Sequence, residues 1–175
     1  MAEALLRRHL ERAGVDATVS SAGLHPAGSP ATAHGVATMA ARGLDLSEHR
    51  SRTLEAALVA RADLIVAMAR DHAREALVLA PDALARTYTL KELVHAGERA
   101  GRRRVGEDLR AWLGRIGASR PAGSLVGIGH DPTMDVDDPI GRGRADYEAT
   151  ADELDDLLGR LVTLAWPVHD AEHVS

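Results

Sequence analysis

Three carboxylates lie just ahead of Pro139 in this sequence of 175 residues. Asp135, Asp137 and Asp138 lie close together, and a carboxylic acid can give a proton to a departing group. The local pattern has a second interpretation, because Asp followed by Pro and then Gly141 is common turn chemistry. From its neighbours alone, Asp138 is therefore either an acid or a turn residue.

Two other patterns imitate known sites. His169, Glu172 and His173 match the His-x-x-Glu-His arrangement of some zinc peptidases. That pattern follows Pro167 and has no evident third ligand, so a frayed tail is the better interpretation. The glycine-rich stretch ahead of His130 imitates a nucleotide loop, but no strand precedes it and a flexible connector is favoured. We therefore predict neither a metal nor a cofactor.

Composition narrows the possible classes of protein. The chain is 45% apolar and 27% charged, which is typical of one globular domain spanning 1–175. No apolar run is long enough to span a membrane, and we predict a cytoplasmic protein. The net charge of -5 argues against nucleic acid as a partner. Cysteine is absent, which removes disulfides and any thiolate nucleophile or metal ligand.

The elements that must position these groups alternate between helix and strand. Hydrophobic periodicity predicts a doubly wound, mostly parallel α/β sheet with helices on both faces. The continuous apolar run from Leu64 to Met68 predicts a strand covered on both sides. The expected elements are helix 2–13, strand 15–20, helix 31–42, a short helix 53–60, strand 62–68, helix 70–80 and a strand near 86–90.

The second half of the chain is less regular. A final helix should close one face of the sheet, with its inward side chains at three- and four-residue steps: Tyr147, Ala151, Leu154, Leu158, Leu161 and Ala165. The stretch of about 91–132 is a divergent insert with some helical content. We expect it to cover an edge of the sheet and border the Asp138 loop. Residues 167–175 should form a flexible tail.

Four motifs together resemble a known family. Met1-Ala2-Glu3 opens a helix, and the next strand ends in Ser20-Ser21-Ala22-Gly23 ahead of His25-Pro26. The other three are the segments 42–54, 62–68 and 137–141. In this order and spacing they resemble the low-molecular-weight protein-tyrosine phosphatases, over about residues 1–90 and 133–166.

The resemblance implies a flavodoxin-like fold and a phosphatase reaction. In that family a strand and a Cys-x5-Arg phosphate loop directly precede the Met-Ala-Glu motif, so we expect this chain to be truncated and to lack the central first strand. The full-length form would hydrolyse a phosphotyrosine protein or a small phosphomonoester through a cysteinyl-phosphate intermediate. Without the nucleophile, residues 1–175 are predicted to be inactive.

The resemblance also assigns roles to residues present here. Asp138 would be the general acid, with Asp137 and Asp135 as less favoured neighbours. Ser21 and His49 would support the phosphate loop, although a strand-end hydroxyl and a loop histidine are simpler interpretations. Relatives often carry an aromatic residue after the Asp-Pro pair that flanks the phenol ring, whereas this chain has Ile140.

Two alternatives stay open. The first is a noncatalytic binding or regulatory module that keeps the scaffold. The second and least favoured is an arsenate reductase, whose chemistry passes a disulfide along further cysteines. An absent central strand would leave two unpaired edges. Since each buried unpaired backbone group costs about 1–3 kcal/mol against a net stability of about 5–15 kcal/mol, we expect residues 1–175 to be unstable, molten or self-associated.

Overall fold

Seven helices and two strands make up the part of the chain that the computed structural model describes, residues 1–118, 120 and 132–167. In chain order they are α1 (Ala2–Arg12), α2 (Ala33–Ala40), α3 (Ala56–Arg61), β1 (Ile65–Ala67), α4 (Arg70–Leu79), β2 (Thr87–Thr89), α5 (Leu90–Ala100), α6 (Leu109–Gly117) and α7 (Arg144–Ala165). Short 3₁₀ turns cover Pro81–Arg86 and Pro132–Met134. The glycine-rich stretch ahead of His130 and the C-terminal His-x-x-Glu-His pattern lie outside the described residues.

The sheet consists of β1 and β2, which pair in parallel with Val66 opposite Tyr88. Helix α4 connects them, so the segment is a β–α–β unit in which both strands end at the same edge. Tyr88 is buried, whereas Ile65 and Val66 remain partly exposed. Both faces of the run are nevertheless covered, as predicted: Ile65 and Ala67 pack in one apolar cluster, and Val66 packs against the main core.

The predicted strand over 15–20 is also wrong. The segment forms no strand in the structure and is mostly exposed, although Val15, Ala17 and Val19 keep the alternation that suggested one. Period-two alternation is necessary for a half-buried strand but not sufficient, because a strand also needs a neighbour for its backbone groups. Here the Val19 carbonyl accepts a hydrogen bond from the Arg7 guanidinium at 3.1 Å instead.

The helices follow the predicted pattern closely, and α7 organises the main core. All six inward residues predicted for the final helix are buried. Helix α7 packs against α1, α2 and α5, and Trp112 of α6 is buried beside it in the same core. A smaller apolar cluster around Ala73 and Ala76 places α4 on the sheet. These contacts set the orientation of α1 and α4, which begin at the candidate site.

The middle region folds onto β2. Helix α5 opens with a capping box formed by Thr89 and Glu92. The Arg120 guanidinium lies 3.8 Å from the centroid of the Tyr88 ring and donates a 2.7 Å hydrogen bond to the Thr87 carbonyl. Arg120 is also held by an ion pair with Glu92 at 2.8 Å. The Arg120 side chain, which comes from the divergent region, thus lies against β2.

Candidate active site

The loop that carries Asp138 is attached to the carboxyl end of β1. The backbone N–H of Val136 donates a 2.8 Å hydrogen bond to the carbonyl of Met68, the residue directly after the strand, and Val136 is buried. One residue earlier, the Asp135 carboxylate accepts a 2.9 Å bond from the N–H of Arg70 at the start of α4. The carboxyl ends of parallel strands are where ligands bind in open α/β sheets. The fold therefore places these carboxylates at the edge where chemistry is expected.

Asp138 itself faces solvent at the tip of this loop. Its Oδ1 accepts a 2.9 Å hydrogen bond from the N–H of Ile140, which closes a tight turn, while Pro139 between them is buried. Ile140 is 68% exposed. The turn interpretation and the acid interpretation are thus compatible, because the same turn that uses one carboxylate oxygen leaves the side chain accessible to a substrate.

The neighbouring Asp137 has different contacts. Its carboxylate forms an exposed ion pair with Arg142 at 3.4 Å, and its carbonyl accepts a 3.4 Å hydrogen bond from the hydroxyl of Thr150 on α7. Both distances are long for strong interactions. Asp137 therefore connects the loop loosely to α7, and nothing in its contacts distinguishes it as a proton donor.

A second cluster lies at the start of α1 and is centred on Glu3. Its Oε2 accepts hydrogen bonds from both the backbone N–H of Ser21, at 3.0 Å, and the Ser21 hydroxyl. Its Oε1 pairs with Arg7, one helical turn later, at 2.6 Å. The structure therefore brings the predicted site residue Ser21 to the amino end of the first helix.

His49 joins the same cluster through electrostatics. Partial burial alone would raise the pKa of Glu3, but hydrogen bonds from Ser21 and Arg7 and the positive charges of Arg7 and His49 outweigh it, so the pKa lies below its usual value. Glu3 is therefore a carboxylate at neutral pH. Sequence reasoning identified Ser21 and His49 and missed Glu3, although it belongs to the Met-Ala-Glu motif, because an acidic residue in the first turn of a helix is common for its dipole alone.

The loop after Ser21 is hydrogen-bonded to the segment that follows His49. Gly23 forms a parallel bridge with Thr53, and the hydroxyl of Ser51 donates a 3.2 Å hydrogen bond to the carbonyl of Pro26. The Thr53 hydroxyl does the same for His25, also at 3.2 Å. These contacts hold the segments of Ser21 and His49 side by side, which explains how residues 28 positions apart reach one cluster.

A separate groove of about 680 Å³ lies between α1, α5 and α7. Its charges are largely paired: His9 lies 2.6 Å from Asp155, and Arg160 lies 2.6 Å from Glu98. The groove reaches Gly159, which at 1.5 Å per residue lies about 22 Å along α7 from its start beside the Asp138 loop. It is therefore remote from the candidate site, and its ion pairs connect the helices.

Among residues 1–118, 120 and 132–167, no three His, Cys, Asp or Glu side chains are grouped so as to hold a metal ion. Within those same ranges, no helix is both long and apolar enough to cross a bilayer.

Comparisons with known proteins identify the family of the chain. A sequence model of the low molecular weight phosphotyrosine protein phosphatases matches residues 1–103. The probable low molecular weight protein-tyrosine-phosphatase EpsP of Ralstonia solanacearum is 42% identical over 94 residues, which are 53% of this chain and 62% of that protein. The chain thus spans less than two thirds of that relative.

Solved structures are similar over most of the chain. A mutant of YwlE from Bacillus subtilis superposes with a TM-score of 0.66 at 29% identity, covering 93% of this chain and 86% of that one. The YwlE arginine phosphatase from Geobacillus stearothermophilus gives a TM-score of 0.62 at 28% identity, covering 91% and 79%. The predicted flavodoxin-like α/β fold class is confirmed. The chain belongs to the low molecular weight phosphotyrosine protein phosphatase family.

Proposed function

We propose that the complete form of this protein hydrolyses phosphomonoesters, phosphotyrosine in proteins above all, through a cysteinyl-phosphate intermediate. The observation that carries the proposal is the attachment of the Asp138 loop to the end of β1, through the 2.8 Å bond between Val136 and Met68. It places an accessible carboxyl at the sheet edge where a substrate binds in this class of fold. Family membership supplies the reaction type.

In the proposed reaction Asp138 acts twice. A thiolate attacks phosphorus, the bond from phosphorus to the phenol oxygen breaks, and the Asp138 carboxylic acid gives its proton to that oxygen. The carboxylate then takes a proton from the water that attacks the phosphoenzyme, which releases phosphate and regenerates the thiolate. Glu3, Ser21 and His49 would hold the neighbouring phosphate loop in place without touching the reacting atoms.

The nucleophile must come from outside these residues, because the sequence contains no cysteine. We infer that a strand and a Cys-x5-Arg loop precede Met1 in the complete protein. The apolar Ile65 and Val66 of β1 stay partly exposed, which a further strand beside them would account for. The 175-residue chain would then have no phosphatase activity and would self-associate through its strand edges.

Substrate choice has a second candidate, phosphoarginine. The similar structure from Geobacillus stearothermophilus is that of an arginine phosphatase. The residue after Asp138-Pro139 is the aliphatic Ile140, 68% exposed, and an aliphatic side chain does not offer the flat stacking surface that favours a phenol ring. We rank phosphotyrosine first because the family model and the curated relative both describe tyrosine phosphatases.

A substrate panel tests these proposals. The genomic frame upstream of Met1 is read first, and the complete protein is then compared with the 175-residue chain on matched phosphotyrosine and phosphoarginine peptides. We expect turnover only by the complete protein, with a higher kcat/KM on phosphotyrosine. A reversed preference would favour the arginine phosphatase. No turnover of either peptide, together with capture of an intact phosphopeptide, would favour the noncatalytic binding module.

Sedimentation of the short chain tests its self-association. Velocity runs at several concentrations should show species larger than the monomer for residues 1–175, and a monomer for the complete protein. A cooperative thermal transition of a monomeric short chain would contradict this part of the proposal.

A further inference from the structure

Helix α4 is capped from a distant part of the chain. Its N-cap residue, Ala69, has the extended backbone that a cap requires, with φ -136° and ψ 158°, but its methyl group cannot accept a hydrogen bond. The carboxylate of Asp135 accepts the bond from Arg70 instead, at 2.9 Å and from 65 residues away. A negative charge at this position is also favoured by the helix dipole.

The same short segment makes a second contact on the other side of Ala69. The N–H of Val136, the next residue, bonds to the Met68 carbonyl at 2.8 Å. Two consecutive residues of the acid loop thus hold the two residues that flank Ala69. The turn from β1 into α4 and the acid loop are therefore fastened to each other.

Only one residue separates this attachment from the candidate acid. Asp137, which lies between Val136 and Asp138, has only 3.4 Å contacts, to Thr150 of α7 and to Arg142. The attachment at Asp135 is shorter, 2.9 Å, and joins the loop to a backbone group at the start of α4. The contacts of Asp135 and Val136 therefore set the position of the Asp138 carboxyl relative to β1 more than the contacts of Asp137 do.

We infer that Asp135 is a positioning residue for the acid, which couples the cap of α4 to the location of the Asp138 carboxyl. The inference rests on the proposed role of Asp138. A shift of about 1 Å in a catalytic group can cost about 10²-fold in rate. Loss of the Asp135 carboxylate should therefore slow the chemical step even though Asp135 touches no reacting atom.

Three variants of the complete protein separate positioning from capping: Asp135→Ala, Ala69→Asp and the double variant. Asp at position 69 supplies a local cap and restores α4, but it cannot fasten the loop. The readout is kcat/KM, which reports the phosphoryl-transfer step and not the later hydrolysis, on two substrates. One is 4-nitrophenyl phosphate, whose leaving group needs little protonation, and the other is phenyl phosphate, whose leaving group needs more. Asp138→Ala is the reference for loss of the acid.

We expect Asp135→Ala to lower kcat/KM on phenyl phosphate by about 10- to 100-fold and on 4-nitrophenyl phosphate much less. Ala69→Asp alone should leave both kcat/KM values unchanged. In the double variant the thermal stability should recover while the phenyl phosphate defect persists. Recovery of kcat/KM together with stability would overturn the inference, because Asp135 would then be only a cap.

Hydrogen exchange of the Val136 amide tests the coupling between the α4 cap and the acid loop independently of catalytic activity. In Asp135→Ala its exchange should be about tenfold faster or more, and Ala69→Asp should not reverse this, although it should restore protection in the middle of α4. Unchanged Val136 exchange would overturn the inference. If the complete protein fails to turn over substrate, or Asp138→Ala shows no dependence on the leaving group, it is the proposed function that fails.

Discussion

The backbone nitrogen of Ser21 lies 3.0 Å from the carboxylate of Glu3, so the segment before the long loop is fastened to the first turn of α1. The Ser21 hydroxyl bonds to the same oxygen, and Arg7 holds the other at 2.6 Å. Glu3 also puts a negative charge in the first turn of α1, which the helix dipole favours, and the positive charge of His49 lowers the pKa of Glu3 further. Glu3 is therefore the centre of this part of the candidate site.

Replacing Glu3 with Gln tests how much the interactions of the Glu3 carboxylate stabilise the fold. The substitution keeps the shape but removes the charge, and hydrogen bonds to charged groups are worth about 1.5–3 kcal/mol, so we expect the free energy of unfolding of the complete protein at pH 7 to fall by about 1–2 kcal/mol. Because the pKa of Glu3 is lower in the folded state, its stabilisation is present above the unfolded pKa and is lost as the pH falls through the folded one. Urea denaturation at pH 7 and below pH 4 should show that the difference in the free energy of unfolding between the wild type and Glu3→Gln is smaller in acid. A difference that is the same at both pH values would contradict the lowered pKa of Glu3.

Two glycines of α6 form a matched pair. A Cβ on Gly117 would lie 2.7 Å from the Tyr88 hydroxyl, which donates a 3.0 Å hydrogen bond to the Leu113 carbonyl, whereas a Cβ on Gly114 would meet nothing within 4 Å. Gly117→Ala should destabilise the fold by about 1–3 kcal/mol. Gly114→Ala should stabilise it by up to about 1 kcal/mol through helix propensity. Thermal unfolding of both variants checks this, and equal effects would contradict the packing of Tyr88.

Glu107 should make a pH-dependent contribution to stability. The Arg115 side chain and the backbone N–H of Arg104 hydrogen-bond to it and lower its pKa to about 2. Its stabilisation should therefore be complete above about pH 4.5 and be lost as the pH falls toward 2. Glu107→Gln should lower the Tm at pH 7 by a few degrees and change it little near pH 2. Asp63→Asn, which breaks the exposed pair with Arg110 at 3.1 Å, is the control and should have almost no effect.

Adjacent carboxylates allow a matched test of the acid. In the complete protein, Asp138→Ala should lower kcat/KM by about 10²–10⁴-fold, and more for poor leaving groups, since general-acid catalysis is worth that range. Asp137→Ala should stay within a few-fold of the wild type, because its weak pair with Arg142 serves only the loop. Equal losses in the two variants would assign the defect to the loop and not to the acid.

The sequence predicted those features of the fold that depend on a local pattern of residues. Helical spacing identified the buried face of α7 because every third or fourth residue reports directly on one side of a helix. It failed for 15–20, where alternation was present but a pairing strand was not among the described residues. It also could not reveal that Asp135 caps a helix 65 residues away, since no local signal marks a long-range acceptor. Ser21 and His49 were placed in one cluster by resemblance, while Glu3 needed the coordinates.

The most direct measurement of the central claim is the location of the phosphoryl group in a trapped intermediate. The complete protein is mixed with 4-nitrophenyl phosphate, quenched in acid and analysed by peptide mass spectrometry. We predict one phosphoryl group on a cysteine that precedes Met1, and none on residues 1–175. A phosphoryl group on any residue of the 175, or rapid turnover by a complete protein that carries no such cysteine, would contradict the account.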